Sequence, residues 1–170
     1  MMSQSGNAAL SGDSNRRLFA EPPHAVEPRL IRQVKNQMKI TVLAVPENVA
    51  LVRVCVAAFA SQLEFTLGEV NEIKVATSEA VSNVVLHAYD SFGNVEVIAS
   101  LDDEWLEVVV SDSGKGIEDV EEALQPTYTT DPDHMGLGFV FMESMMDKLD
   151  VQSAPGEGTV VWMAKRVAQG

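Results

Sequence analysis

The chain has 170 residues, of which 46% are hydrophobic, and a formal net charge of −13. That length and hydrophobic content suffice for one ordinary core and would crowd two domains. The excess negative charge disfavours direct binding of nucleic acids and anionic membranes, because both would repel it. No apolar run approaches the ~20 residues that span a bilayer, and Glu21-Pro22-Pro23 ends the short apolar segment Leu18-Phe19-Ala20 before it could serve as a signal peptide. We therefore expect a cytoplasmic protein without a transmembrane helix.

Residues 1–35 are rich in Ser, Asn, Ala and Pro, which predicts a flexible extension ahead of one domain over 36–168. The hydrophobic periods of that domain predict, in chain order, a strand over 38–44, helices over 49–63 and 67–89, and strands over 95–101 and 105–111. A short acidic helix near 118–124 and an irregular segment over 125–135 are expected next. A helix beginning at 136–138 and strands near 149–153 and 159–166 complete the predicted elements. Strands in antiparallel pairs with helices between them predict an α+β fold. The expected architecture is a two-layer sandwich in which helices cover one face of a mixed, mostly antiparallel sheet.

Glu79 and Asn83 are four positions apart on the second predicted helix, so their side chains lie on one face about a turn from each other. A carboxylate in such a pair can accept a proton from an attacking hydroxyl, and the amide oxygen beside it can bind Mg²⁺. The alternative is an ordinary polar pair on a solvated helix face. The pair therefore needs support from other parts of the chain.

Gly-rich segments that suit a nucleotide supply this support. Asp112-Ser113-Gly114-Lys115-Gly116 follows an apolar strand, where the glycines let the backbone approach a ligand and the acid can accept a hydrogen bond from an adenine amino group. Gly136 and Gly138 flank a predicted helix start, where backbone N–H groups and the helix dipole attract phosphate. Gly158-Thr159 then places a hydroxyl at the start of the last strand. The chain has neither the P-loop nor the Rossmann glycine motif, so the phosphate site is of another kind.

In this order, the four pieces resemble the Bergerat ATP-binding fold of DNA gyrase B, heat-shock-90 chaperones, mismatch-repair ATPases and sensor histidine kinases. Further stretches resemble the sporulation anti-sigma F family of serine kinases, and together the similarity covers about residues 34–165. These stretches are Glu72-Ile73-Lys74, Ser78–Asn83, His87-Ala88-Tyr89, Glu121–Pro126 and Thr129-Thr130.

The resemblance implies a protein kinase that binds ATP or ADP with Mg²⁺ and in which positioning and charge neutralisation provide most of the catalysis. It assigns Glu79 as the general base and Asn83 as the Mg²⁺ ligand. Asp112 would read adenine in a pocket shaped by Gly114 and Gly116. The remaining nucleotide-binding positions that it implies are Thr130, Gly136, Leu137, Gly138 and Thr159.

The resemblance also implies protein partners. Members of the family phosphorylate a serine of a small anti-anti-sigma protein of the STAS type, sequester a sigma factor, and pair as homodimers through the region that corresponds to Met38–Phe59. Arg53 falls where the family has a basic residue that contacts both partners. An arginine that extends its stem beside a core stripe is an equally good interpretation of Arg53.

Two other functions remain open. The segment Asp131-Pro132-Asp133-His134-Met135 is shorter than the corresponding lid of the family and has no Arg or Lys, which would weaken stabilisation of a γ-phosphate. A module that sequesters a sigma factor, binds nucleotide and transfers phosphate poorly would fit such a lid. A partner-switching kinase of the general stress response is the second alternative.

Overall fold

The computed structural model describes residues 29–31, 33–125 and 137–168. Thr130, Gly136, residues 131–135 and residues 1–28 lie outside the described residues. No helix in the described part is long and apolar enough to cross a membrane. The helices are α1 (Pro46–Ala60), α2 (Leu67–Asn83), α3 (Val120–Ala123) and α4 (Gly138–Met145), and the strands are β1 (Asn36–Leu43), β2 (Asn94–Leu101), β3 (Trp105–Ser111), β4 (Lys148–Ala154) and β5 (Gly158–Arg166).

The strands form one sheet in the order β1-β2-β3-β5-β4, and every pairing between these strands is antiparallel. The hairpins β2–β3 and β4–β5 are the two that the sequence predicts. The sheet is joined through β3 and β5, where Ser111 lies opposite Val160. The end of β3 and the start of β5 therefore lie side by side at the same end of the two central strands, which brings Asp112 next to Thr159.

The main core lies between the helices and one face of the sheet. Alternate residues of the strands, such as Val97 on β2 and Val108 on β3, point into it because side chains of a strand alternate between faces. The helices contribute an apolar stripe each, including Val56 of α1, Ile73 of α2 and Met142 of α4. The predicted α+β fold with helices on one face is confirmed.

Helix α2 begins and ends with distinct local structures. At its start, Thr66 and Glu69 form a capping box, with Glu69 N–H donating to Thr66 Oγ1 at 3.2 Å and Thr66 N–H donating to Glu69 Oε2 at 2.7 Å. At its end, the helix widens into a π-helical turn over Val84–Ala88. The sequence predicts one regular helix to residue 89, because a widened turn preserves the apolar spacing that is visible in the sequence. Such turns are often found at functional sites.

The second face of the sheet is covered in part by a segment that we name the N-terminal strap, Arg29–Ile31. The anchor is Glu107 of β3, which is only 1% exposed. Its carboxylate accepts hydrogen bonds from the N–H groups of Arg29 at 2.9 Å, Leu30 at 2.5 Å and Ile31 at 2.9 Å, and from the indole Nε1–H of Trp162 at 2.9 Å. Part of the segment that the sequence analysis placed in a flexible extension therefore packs on the sheet.

Glu107→Gln should lower the free energy of unfolding by about 2–4 kcal/mol, because an amide cannot accept as many charge-assisted hydrogen bonds and leaves buried donors unpaired. Thermal or urea unfolding and hydrogen exchange of the strap amides would measure the effect. Glu104→Gln is the matched control, since Glu104 pairs with Arg166 at the exposed surface and its loss should cost under about 1 kcal/mol. Equal stabilities for the two variants would contradict the anchoring role of Glu107.

Candidate nucleotide-binding site

Glu79 and Asn83 lie opposite the first residue of α4. Both side chains are half buried on α2. A Cβ atom added to Gly138 would lie 3.3 Å from Glu79 Oε2 and 3.4 Å from Asn83 Oδ1. Among the described residues, no side chain caps the N-terminus of α4, and the first N–H groups of a helix and the positive end of its dipole attract anions. A carboxylate, an amide oxygen and an anion-attracting helix end thus share one small volume.

Asp112 follows β3 and is buried, with 4% of its surface exposed. Its Oδ1 accepts a hydrogen bond from Gly114 N–H at 2.8 Å, and its own N–H donates to the carbonyl of Thr159 at 3.0 Å. Burial raises the pKa of this carboxyl, while hydrogen bonds from the backbone of Gly114 and Thr159 act in the opposite direction. A buried acid with capacity for another hydrogen bond is well suited to a polar ligand edge.

The loop after β3 is fixed to the end of α2. Lys115 N–H donates to the carbonyl of Ala88 at 2.9 Å. A Cβ atom on Gly114 would overlap that same carbonyl oxygen, so only glycine permits the approach. The π-helical turn thereby connects the helix that carries Glu79 and Asn83 to the loop that carries Asp112.

The other glycine of this loop lies against the β4–β5 hairpin. Gly116 has φ of +71° and approaches the carbonyl of Ala154 so closely that a Cβ atom would overlap it. Thr159 is half buried, and its Oγ1 lies 2.8 Å from the hydroxyl oxygen of Ser153, which also donates to the carbonyl of Gly158 at 2.8 Å. The hydroxyl of Thr159 is therefore held on the residue whose carbonyl accepts a hydrogen bond from Asp112 N–H.

Sequence reasoning missed two residues that hold the neighbours of Asp112 in place, Tyr89 and Ser153. The hydroxyl of Tyr89 accepts a hydrogen bond from Ser113 N–H at 3.0 Å and donates to the carbonyl of Asn94 at 2.8 Å. Burial raises the pKa of Tyr89 above its ordinary value, in the direction that favours the neutral hydroxyl. Ser153 was missed as well, and its signal is the cross-strand register that pairs it with Thr159.

The remaining predicted residues are placed as follows. Leu137 precedes α4 directly and occupies its N-cap position. Arg53 is exposed on α1 and is not among the residues that these contacts join. Thr130 and Gly136, the other two predicted positions, lie outside the described residues.

The side chains next to Gly138 include possible ligands of a metal ion. Within the described residues, no cluster of three or more His, Cys, Asp or Glu side chains could hold a metal by itself. The oxygens of Asn83 and Glu79 next to Gly138 are ligands of the hard type that Mg²⁺ prefers, and Mg²⁺ is commonly bound by few protein groups together with substrate phosphates. The site therefore fits a magnesium ion that arrives with a nucleotide.

Comparison with known families agrees with this geometry. A family model described as a histidine kinase-like ATPase domain matches residues 42–165. That range contains every described residue of the site, from Glu79 to Thr159. The protein therefore belongs to the class of histidine kinase-like ATPase domains, and such membership implies nucleotide binding.

Similar proteins of known name define the family of this chain more closely. The chain is 44% identical over 138 residues to the anti-sigma F factor of Clostridium acetobutylicum, an alignment that covers 79% of this chain and 96% of the relative. It is 42% identical over 140 residues to the anti-sigma F factor of Caldanaerobacter subterraneus, with 81% and 98% covered. The chain belongs to the anti-sigma F factor family.

Solved structures of lower identity share the fold. The RsbU and RsbW domains of Rv1364c from Mycobacterium tuberculosis superpose with a TM-score of 0.58 at 20% identity, over 78% of this chain and 32% of that one. The mycobacterial sensor histidine kinase MprB superposes with a TM-score of 0.51 at 20% identity, over 76% of this chain and 97% of that one. Both show that the two-layer fold of this chain also occurs in these proteins.

Asp112→Asn should raise the melting temperature of the ligand-free protein at pH 7. Because burial raises the pKa of Asp112 in the folded state, the folded chain binds more protons than the unfolded chain, and ionisation costs stability as the pH rises through that interval. The increase in melting temperature should shrink as the pH is lowered toward the pKa that Asp112 has in the unfolded chain. Melting curves between pH 4 and pH 8 would measure it.

Asp150→Asn is the control of opposite sign. The hydrogen bond from Arg29 lowers the pKa of Asp150, so its stabilisation is present above the unfolded pKa and is lost as the pH falls through the folded one. This variant should melt below the wild type at pH 7. A loss of stability in Asp112→Asn at that pH would contradict the burial argument.

Proposed function

We propose that this protein is an anti-sigma factor with serine/threonine protein kinase activity. It binds ATP with Mg²⁺, transfers the γ-phosphoryl group to a serine of an anti-anti-sigma protein of the STAS type, and sequesters a sigma factor. The observation that carries the proposal is the closeness of Glu79 and Asn83 to Gly138, the first residue of α4. A Cβ atom added to Gly138 would lie 3.3 Å from Glu79 Oε2 and 3.4 Å from Asn83 Oδ1. Family membership supports the nucleotide, and the names of the relatives support the sigma factor.

In this function the nucleotide lies between Asp112 and α4. The carboxylate of Asp112 accepts a hydrogen bond from the adenine amino group, in a pocket bounded by Gly114, Gly116 and the hydroxyl of Thr159. The phosphates extend toward Leu137 and Gly138, where the N–H groups and dipole of α4 attract negative charge. Thr130 and Gly136 complete the proposed phosphate contacts from outside the described residues.

Glu79 acts as the general base. It accepts the proton of the incoming serine hydroxyl as the serine oxygen bonds to the γ-phosphorus, and the bond from that phosphorus to the bridging oxygen of ADP breaks with its electron pair leaving on ADP. Asn83 contributes its amide oxygen as a neutral ligand to Mg²⁺. The ion neutralises phosphate charge when it is bound.

The proposed protein contacts lie on α1, which packs against α2. Arg53 on α1 is exposed, as is the neighbouring Val54 at 60%. A cation beside an exposed apolar side chain suits a protein partner, and we assign Arg53 to contacts with the sigma factor and the STAS-type protein. β1 is an edge strand of the sheet, which suits a homodimer interface within residues 38–59.

A sequestering module with weak transfer is the second candidate. The observation in its favour is the segment 131–135, which carries no Arg or Lys. Glu79 beside Asn83 and Gly138 favours the kinase, because a module that only sequesters a partner has no need of a base at the phosphate end.

Glu79→Gln should reduce phosphate transfer by about 10²–10⁴-fold while nucleotide affinity is retained, because the amide keeps the size of the side chain but cannot accept the proton. The measurement is incubation of the purified chain with ATP, Mg²⁺ and a candidate anti-anti-sigma protein of the STAS type, followed by intact-mass analysis of both proteins. Glu121→Gln, on the exposed face of α3, is the matched control and should transfer at the wild-type rate.

The result that supports the kinase is a single phosphate on the acceptor, lost in Glu79→Gln and kept in Glu121→Gln. Tight nucleotide binding and sigma factor binding without transfer by the wild type would favour the sequestering module instead. Equal transfer by Glu79→Gln and the wild type would remove Glu79 from the reaction.

A further inference from the structure

Helix α4 packs along α2, with its first residue next to Glu79 and its last residue linked to Glu72 through Lys165. Glu72 and Glu79 are seven positions apart on α2, and Gly138 and Met145 are seven positions apart on α4. At 1.5 Å per residue each pair is separated by about 10.5 Å along its helix, and residues seven apart lie on nearly the same face. The first residue of α4 lies next to Glu79 and Lys165 links its last residue to Glu72, so the two helices run side by side in opposite directions.

The link at the far end is Lys165. This residue lies on the helix-covered side of β5 and is only 7% exposed. Its Nζ donates to the carbonyl oxygen of Met145, the last residue of α4, at 2.8 Å and forms an ion pair with Glu72 Oε2 at 2.8 Å. A buried ammonium group at a helix C-terminus satisfies an orphan carbonyl and complements the negative end of the dipole.

The segment that follows α4 is tied to β5 as well. Asp147 N–H donates to the carbonyl of Ala164 at 3.0 Å, and Arg166 N–H donates to Asp147 Oδ2 at 2.7 Å. These bonds hold the chain after α4 to the sheet but do not reach α2. Helices α4 and α2 also pack directly against each other, and the bridge from Lys165 to Glu72 adds a polar link between the end of α4 and the helix that carries Glu79 and Asn83.

We propose that Lys165 is a positioning residue for phosphate binding and transfer. Lys165 sets the position of α4 along α2. It thereby sets the distance from the first N–H groups of α4 to Glu79 and Asn83. Because α4 is eight residues long, a displacement at its last residue passes along a short rigid rod to Gly138. The inference rests on the proposed function, since it assumes that the phosphates lie at the N-terminus of α4.

If Lys165 positions α4, its loss should weaken binding of the nucleotide's phosphates and leave binding of its adenine end unchanged. Asp112 and the loop after β3 are fixed by Ala88 and Tyr89, so binding of the adenine end should not depend on Lys165. Lys165→Met should weaken ATP binding about tenfold, because misplacement on the order of 1 Å has large effects at a reacting centre. Its affinity for AMP, which has no β- or γ-phosphate, should stay within about twofold of the wild type.

The experiment is calorimetric titration of the full chain with ATP·Mg²⁺ and with AMP, together with melting curves and the KM and kcat of transfer. Lys165→Arg should recover part of the ATP affinity, because it restores a cation at the helix end. Arg166→Met is the matched control, since it removes the neighbouring cation of the same strand, whose side chain pairs with Glu104 and not with α4. It should bind both nucleotides as the wild type does.

Glu72→Gln covers the case in which Lys165→Met does not fold. The Glu72 side chain is 44% exposed, so the substitution should be tolerated and should weaken ATP binding in the same selective way by a smaller factor. Equal changes in ATP and AMP affinity, or a lower melting temperature with both affinities unchanged, would overturn the positioning role. Absence of transfer by the wild type would instead contradict the proposed kinase, and the ratio of ATP to AMP affinity would still test Lys165.

Discussion

The site depends on one close contact, between the last carbonyl of the widened end of α2 and the loop after β3. The Ala88 carbonyl accepts a hydrogen bond from Lys115 N–H and leaves no room for a side chain on Gly114. If the helix ended regularly, the carbonyl would be directed elsewhere and the loop would lose this anchor. Through this contact the face that carries Glu79 and Asn83 and the pocket of Asp112 form one rigid unit, as a nucleotide that reaches both would require.

The charges of the molecule are arranged around that unit in a consistent way. Burial raises the pKa of Asp112, and a carboxyl whose ionisation opposes folding is a common feature of sites that bind or react. Glu107 and Lys165 are buried too, but each is surrounded by hydrogen-bond partners that belong to the chain. These two charges serve the architecture, one by holding the strap to the open face of the sheet and the other by holding the end of α4.

Much of this could be predicted from the sequence, because it depends on local patterns. Alternating apolar residues indicate β2 and β3, and helical spacing indicates α1 and α2. The proposed residues Glu79, Asn83, Asp112 and Gly138 stand in motifs with characteristic spacing, and Glu79 and Asn83 lie next to Gly138 in the structure. Family resemblance supplied their roles, since spacing alone leaves a polar pair on a helix ambiguous.

The rest depends on contacts between distant parts of the chain, which local patterns do not encode. The position of β5 between β3 and β4 follows from packing of the whole sheet. Glu107 lies in an apolar strand, and its partners in the strap are more than 70 positions away, between Arg29 and Ile31. The bridge from Lys165 to Glu72 likewise joins residues that no motif links.

The most direct test of one shared nucleotide site is hydrogen exchange of the full chain with and without ATP·Mg²⁺. The expected result is slowed exchange in residues 112–116 at the end of β3 and in residues 138–141 at the start of α4, with the strap and α1 unchanged. Slowed exchange confined to the opposite end of the sheet, around Trp105 and Arg166, with no change at Asp112 or Gly138, would contradict the site described above.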